Sequence, residues 1–193
     1  MTAPDAAQTG GLAMIRTSKT HPIRIAEVAT GRGTIGVTFA PGKTDAHGRT
    51  GPWARDLAAD LDAVAAWGAG TVVTLLEPEE LRQLSIPRLG AEIERRGMEW
   101  IHAPIPDRNT PGPAFEAGWP DLGRRLRARL DGGGKVMIHC RGGLGRAGMI
   151  AARLLAETGV DPDVAITRVR AVRPGAIETD AQEDWARTGP PPA

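Results

Sequence analysis

A single cysteine, set between a strand pattern and a helix pattern, constrains this chain more than any other feature. Residues 135–139 read Lys-Val-Met-Ile-His, a short apolar run of strand length. Cys140 opens the run Arg141-Gly142-Gly143-Leu144-Gly145-Arg146, and residues 147–155 continue as a helix. Three glycines in five residues let a tight loop aim backbone N–H groups at an anion. The helix that begins where the loop ends adds its positive dipole end to the same point. That field favours a thiolate at neutral pH, and Arg146 offers a planar fork for two phosphoryl oxygens. The segment reads as a nucleophilic thiolate in a phosphate cradle, against the plainer reading of a buried, inert cysteine before a glycine turn.

Strand and helix patterns alternate through the rest of the chain. Strands are expected over 23–28 and 34–39, joined by the turn Thr30-Gly31-Arg32-Gly33, and over 71–76, 99–105 and 135–139. Helices are expected over 53–67, 86–96, 114–130 with a break at Pro120, 147–155, 162–172 capped by Asp161, and 179–187, with a helical turn over 79–84. Residues 43–52 and 106–113 read as loops. This order implies an α/β fold: a single domain, a mostly parallel central sheet with helices on both faces, and an antiparallel hairpin near the N-terminus. The domain is expected over residues 21–188, after a mobile N-terminal segment 1–20 and before a tail 189–193.

A chain of 193 residues is large enough to bury a core as one domain. Its net charge of +1 gives no global attraction to nucleic acid or to an anionic membrane. No apolar stretch reaches the length of a membrane span, and residues 1–20 lack the apolar run of a secretion signal. One cysteine excludes an internal disulfide framework and suits a reducing compartment, so a cytoplasmic location is expected. His21, His47 and His102 share no ligand spacing with one another or with Cys140, so neither a metal site nor a cofactor is expected. Gly31-Arg32-Gly33-Thr34-Ile35-Gly36 matches a dinucleotide fingerprint by letter, but a strand pattern follows it instead of a helix; it reads as a hairpin turn. Arg124, Arg125, Arg127 and Arg129 read as a solvated helix face, and Trp53, Trp67 and Trp100 as core.

His139-Cys140, Gly143 and Arg146 spell a cysteine, five residues and an arginine, and here the chain resembles the protein tyrosine and dual-specificity phosphatases. Ala40-Pro41-Gly42-Lys43, Pro104-Ile105-Pro106-Asp107 and Arg173-Pro174-Gly175-Ala176-Ile177 extend the resemblance to kinase-associated phosphatases with a cyclin-dependent-kinase-inhibitor-3-like domain, over about residues 23–186. The resemblance implies phosphate monoester hydrolysis through a phosphocysteine, without a metal. Cys140 would be the nucleophile, and Arg141, Gly142, Gly143, Leu144, Gly145 and Arg146 would bind the phosphoryl group. His139 would orient the loop and sustain the thiolate, and Gln182 would position the hydrolytic water.

The family's general acid is an aspartate on a loop upstream of the cysteine, and two candidates compete. Trp119-Pro120-Asp121 spells the literal tripeptide of the large tyrosine-specific enzymes, yet it falls inside a helical pattern only 19 residues before Cys140. Asp107 lies 33 residues before it, at a strand end on the sheet edge where active-site loops converge. Asp107 is the expected acid, and Asp121 an exposed helix residue. Two departures stand out. Glu178 occupies a position where relatives carry glutamine, and repulsion from phosphate should turn it away. Ala147 follows the arginine where most relatives place Ser or Thr, which puts phosphocysteine breakdown in doubt.

The resemblance implies a phosphorylated protein substrate, and the near-zero net charge leads to no expectation of a nucleic acid or membrane partner. The chain has no tyrosine and lacks the aromatic clamp of the large enzymes, which favours a dual-specificity-like pocket. A phosphoinositide or small-metabolite phosphatase would use the same loop, with Arg141 reading further phosphates. A catalytically weak phosphate-binding module would keep the loop as well, and Ala147 and Glu178 leave room for it. An arsenate reductase or sulfurtransferase fits less well, because one cysteine provides no intramolecular thiol relay.

Overall fold

The computed structural model describes residues 14–48 and 50–190. The elements are β1 (Ala26–Ala29), β2 (Thr34–Phe39), β3 (Thr44–Asp45), β4 (Trp53–Ala54), α1 (Leu57–Trp67), β5 (Ala69–Thr74), α2 (Pro78–Gln83), α3 (Leu89–Glu94), β6 (Glu99–His102), α4 (Pro113–Asp131), β7 (Lys135–Cys140), α5 (Gly145–Ala156), α6 (Pro162–Val172) and α7 (Asp180–Thr188). The main sheet runs β1-β2-β7-β5-β6. β1 is antiparallel to β2, and every other pairing is parallel. This is the α/β architecture expected from the alternation of patterns, with β1 and β2 forming the hairpin.

Strand alternation divides the core between the two faces. Val136, Ile138 and Cys140 of β7 pack with Trp119 and Leu126 of α4, Met149 and Ile150 of α5, and Trp185 of α7. Met137 faces the other side, with Leu61 and Val64 of α1, Leu81 of α2 and Ile93 of α3. Cys140, the last residue of β7, pairs in register with Phe39, the last of β2. The loop after β2 and the loop after β7 therefore leave the sheet side by side.

Several expected boundaries shift, each for a local reason. The helix expected from residue 53 starts at Leu57, because Asp56 caps it by accepting from the Ala59 N–H. Trp53 and Ala54 instead pair with Asp45 and Thr44 in a two-stranded ribbon, where a plain loop was expected. The helix expected over 86–96 contracts to α3. α4 runs through Pro120 without the expected break. An interior proline costs about 3 kcal/mol, but its neighbour Trp119 is fully buried, stacks on Phe115 and donates its indole N–H to Glu157. Arg127 of that helix is not solvated as expected: it pairs with the buried Glu157 carboxylate. Of the segment expected to be mobile, residues 1–13 lie outside the described residues, as do residues 191–193 of the tail. Arg16, by contrast, bridges Trp53, its N–H donating to Pro52 and its carbonyl accepting from Ala54.

The turn after β2 is pinned by a buried ion pair. Asp60 accepts from Arg55 through both oxygens, at 2.7 Å each, and from the Gly42 N–H at 2.8 Å. Gly42 has φ of +70°, and a Cβ there would lie 2.6 Å from that of Leu57. Asp60→Ala would leave the Arg55 guanidinium buried without its counter-charge. It should lower stability by about 3–5 kcal/mol in urea denaturation, whereas Asp62→Ala, on the exposed side of the same helix, should change it by less than about 1 kcal/mol.

Candidate active site

The cysteine loop is shaped from outside by groups that occupy its carbonyls. Arg173 donates to the Gly143 and Gly142 oxygens, at 2.9 Å each. The Ala40 N–H donates to the Arg141 carbonyl, and the Gly148 N–H to that of Leu144. Turning these carbonyls outward directs the loop's N–H groups toward its centre. Gly143 is at φ +65°, and a Cβ on it would lie 2.3 Å from the Thr38 backbone, so no other residue fits. Cys140 is buried beneath this loop at the end of β7.

Arg146, in the first turn of α5, is about 1% exposed. Its two terminal nitrogens grip Glu80 of α2, at 2.6 and 2.8 Å. Nη1 also donates to the Ile105 carbonyl at 2.9 Å, and Nη2 lies 2.8 Å from Asp107. Burial opposes the charged guanidinium, but the Glu80 hydrogen bonds and the charges of Cys140 and Asp107 outweigh it and raise its pKa. Asp107 is thus placed beside Arg146, with its side chain about 57% exposed. Asp121 is on the outer face of α4, paired with Arg124.

His139 is fully buried, its Nε2 2.8 Å from the Thr74 hydroxyl, which also accepts from the Trp100 indole. Burial pushes its pKa down to about 3, against an opposing contact with the Cys140 backbone. A neutral imidazole can orient the loop, but it brings no charge to sustain a thiolate. Gln182 is also fully buried; it accepts from the Glu178 N–H and donates to the Asn109 carbonyl, linking the α7 start to the Asp107 loop. Glu178 does not turn away. Its Oε2 accepts from the Gly145 N–H at 3.1 Å, at the head of α5. The reason is that the N–H and positive dipole end at the head of α5 suit a carboxylate as well as a phosphate. Ala147 is fully buried and brings no hydroxyl to the loop.

Over the cysteine loop lies a cavity of about 480 Å³ whose walls include Lys43, Asp45, Asp107, Glu178 and, from the loop itself, Arg141 and Leu144. Arg141 reaches Asp45 of β3 at 3.0 Å. Two site residues were not singled out from the sequence for a role. Glu80 belongs to a capping box with Glu77, a pattern that signals a helix start and says nothing of an arginine 66 residues on. Arg173 entered only as part of the resembling segment 173–177, with no sign of the loop carbonyls it holds. Among the described residues, no group of three or more His, Cys, Asp or Glu side chains is placed to hold a metal ion.

The family model described as a Swiss Army Knife protein, DSP-PTPase phosphatase domain, matches residues 54–186. The chain belongs to this phosphatase family. The cyclin-dependent kinase inhibitor 3 of Rattus norvegicus is 32% identical over 134 residues, 68% of this chain and 62% of that protein. The chain thus spans less than two thirds of that relative's length. Among solved structures, kinase-associated phosphatase with its catalytic-site cysteine replaced by serine superposes with a TM-score of 0.74, at 27% identity, covering 86% of this chain and 92% of that one. Tk-PTP in its active form gives 0.63 at 32% identity, covering 82% and 92%. The family read from the cysteine loop is the family that these relatives share.

The neutral His139 carries a pH signature. Its folded pKa, about 3, lies below the ordinary 6.5, so the unfolded chain binds the extra proton first as pH falls. The stability linked to it is full above pH 6.5 and is lost toward pH 3, on the order of 1 kcal/mol per pH unit. Urea midpoints of the native protein should fall more steeply between about pH 6.5 and 4.5 than those of His139→Gln. Equal slopes would show that His139 is not held neutral by burial.

Proposed function

We propose that the protein hydrolyses phosphate monoesters in two steps through a phosphocysteine, acting as a tyrosine or dual-specificity protein phosphatase. The observation that carries this reading is the placement of Arg146 at the cysteine loop, clamped by Glu80 and flanked by Asp107. Cys140 attacks phosphorus in line. Arg146 and the N–H groups from Arg141 to Arg146 hold the equatorial oxygens as charge spreads over them. Asp107 protonates the leaving oxygen and then deprotonates the water that attacks phosphocysteine. Gln182 positions that water. Phosphoprotein substrates are supported by relatives named kinase-associated phosphatase and protein tyrosine phosphatase. A reducing compartment such as the cytoplasm suits a catalytic thiol.

Cys140→Ser should abolish turnover of an aryl phosphate, because a serine hydroxyl is not ionised at neutral pH. Asp107→Asn should lower kcat for phenyl and alkyl phosphates by about 10²- to 10⁴-fold, with a smaller loss for leaving groups that need no proton. Asp121→Asn should leave both rates unchanged; the opposite pattern would assign the acid to α4. A panel of phosphopeptides and inositol phosphates separates protein from small-metabolite substrates.

Phosphocysteine breakdown is expected to be slow, since the fully buried Ala147 has no hydroxyl to assist the departing sulfur. Rapid mixing with a chromogenic aryl phosphate should show a phenol burst approaching one equivalent of enzyme. Ala147→Ser should speed the second step by several-fold to about thirtyfold while leaving kcat/KM nearly unchanged. No burst, together with an unaltered kcat in the variant, would show that the second step is not impaired.

A further inference from the structure

We propose that Lys43 is a positioning residue for the nucleophile: its ammonium, seated on the Phe39 and Trp53 rings beside the first peptide of the cysteine loop, holds Cys140 as a thiolate. The inference rests on the hydrolytic reading above and adds one more full positive charge at the cysteine loop to its N–H groups and the α5 dipole. His139 is neutral, Ala147 offers no hydroxyl, and Arg146 is engaged by two carboxylates. Arg173 contributes charge, but its donors are committed to the Gly142 and Gly143 carbonyls.

Lys43 is delivered to the loop by the fold. Phe39 pairs with Cys140, and the chain then turns at Gly42, whose N–H is held by Asp60. The Lys43 Nζ arrives 4.5 Å from the Trp53 ring centroid, 5.1 Å from that of Phe39 and 3.4 Å from the Arg141 carbonyl oxygen. Two aromatic faces can hold an ammonium but cannot neutralise it. Only about 6% of the residue is exposed, so it needs an anion.

The charged groups around Lys43 narrow the choice of that anion. Asp45 on β3 is shared with Arg141. Across the cavity, Asp107 lies on Arg146, and Glu178 accepts from the Gly145 N–H. Arg55, Arg141 and, over the same tryptophan, Arg16 are cations, and His47 lines the cavity wall. Burial lowers the Lys43 pKa to about 8; Asp45 and then the Cys140 sulfur oppose the shift, while Arg141 and Arg55 add to it. Coupling of this kind is reciprocal: a sulfur that favours the ammonium is favoured by it to the same degree.

The chain's single cysteine and three lysines make both partners readable. The pH profile of alkylation by iodoacetamide reports Cys140 alone. Lys43→Met should move that profile to higher pH, slowing alkylation about tenfold below the midpoint, and the acid limb of kcat/KM should move with it. Lys43→Arg keeps the charge and should restore the native profile. In the native protein, the ¹³Cε resonance of Lys43 should titrate at lower pH once Cys140 is carboxamidomethylated, while those of Lys19 and Lys135 stay in place. This arm decides the matter if Lys43→Met does not fold. An unmoved alkylation profile in folded Lys43→Met, an equal shift in both variants, or a Lys43 titration indifferent to alkylation would overturn the proposal. Failure of the hydrolytic reading would look different: alkylation coupled to Lys43, but no turnover of any phosphate ester.

Discussion

The site depends on one buried carboxylate, Glu80. Its Oε2 accepts from its own helix start, the Glu77 N–H at 3.0 Å, and from Arg146 at 2.6 Å. A guanidinium this deep in a protein persists only if it is paired and its donors are satisfied. Glu80 does the pairing, and the Ile105 carbonyl satisfies a further donor. Through Arg146, the head of α5 is fastened to α2 and to the segment that leads into the Asp107 loop. The arginine fork thus has its orientation before any ligand arrives, which is what stabilising charge on a transferring phosphoryl group requires.

Local signals were legible in the sequence, and long-range pairings were not. β2 and α6 fall on the expected residues, because an apolar run ended by Pro41 and an Asp161 cap before Pro162 are complete within a few positions. The cysteine loop was legible for the same reason: glycine conformation, helix dipole and arginine fork all lie within seven residues. The ribbon of β3 and β4 was missed because each strand has only two residues, too few for a period. Glu80 and Arg173 were missed because their partners are distant in sequence and meet them only across the folded sheet. Glu178 departs from the expectation because repulsion from phosphate was weighed alone, and the N–H at the head of α5, which a carboxylate can accept, was left out of the balance.

The loop after β2 links stability to chemistry. The buried pair of Arg55 and Asp60 fixes the Gly42 turn; the turn sets Lys43; and Lys43 sits against the cavity between two rings. Arg16 lies over the same Trp53 ring and lines the cavity, so part of the N-terminal segment belongs to the cavity wall. Residues that read as loop and as mobile N-terminal segment in the sequence therefore line the cavity beside a cysteine about a hundred positions downstream.

Three of the site's positive groups are met by its own carboxylates. Asp107 lies on Arg146, Asp45 on Arg141, and Glu178 on the head of α5. On the proposed reading, a phosphate ester entering the loop competes with two of these carboxylates. Taking the Nη2 side of Arg146 releases Asp107, while Glu80 keeps the guanidinium in place. The released Asp107 side chain is then free to turn toward the leaving group, the place its proposed role as acid requires. Displacing Glu178 from the Gly145 N–H frees one donor of the cradle and leaves a carboxylate near the water that must later attack. Gln182, bonded to the backbone of both the Glu178 turn and the Asp107 loop, is placed to relate these two movements. The departure at Glu178 thus bears on the order of events in the site as well as on its charge.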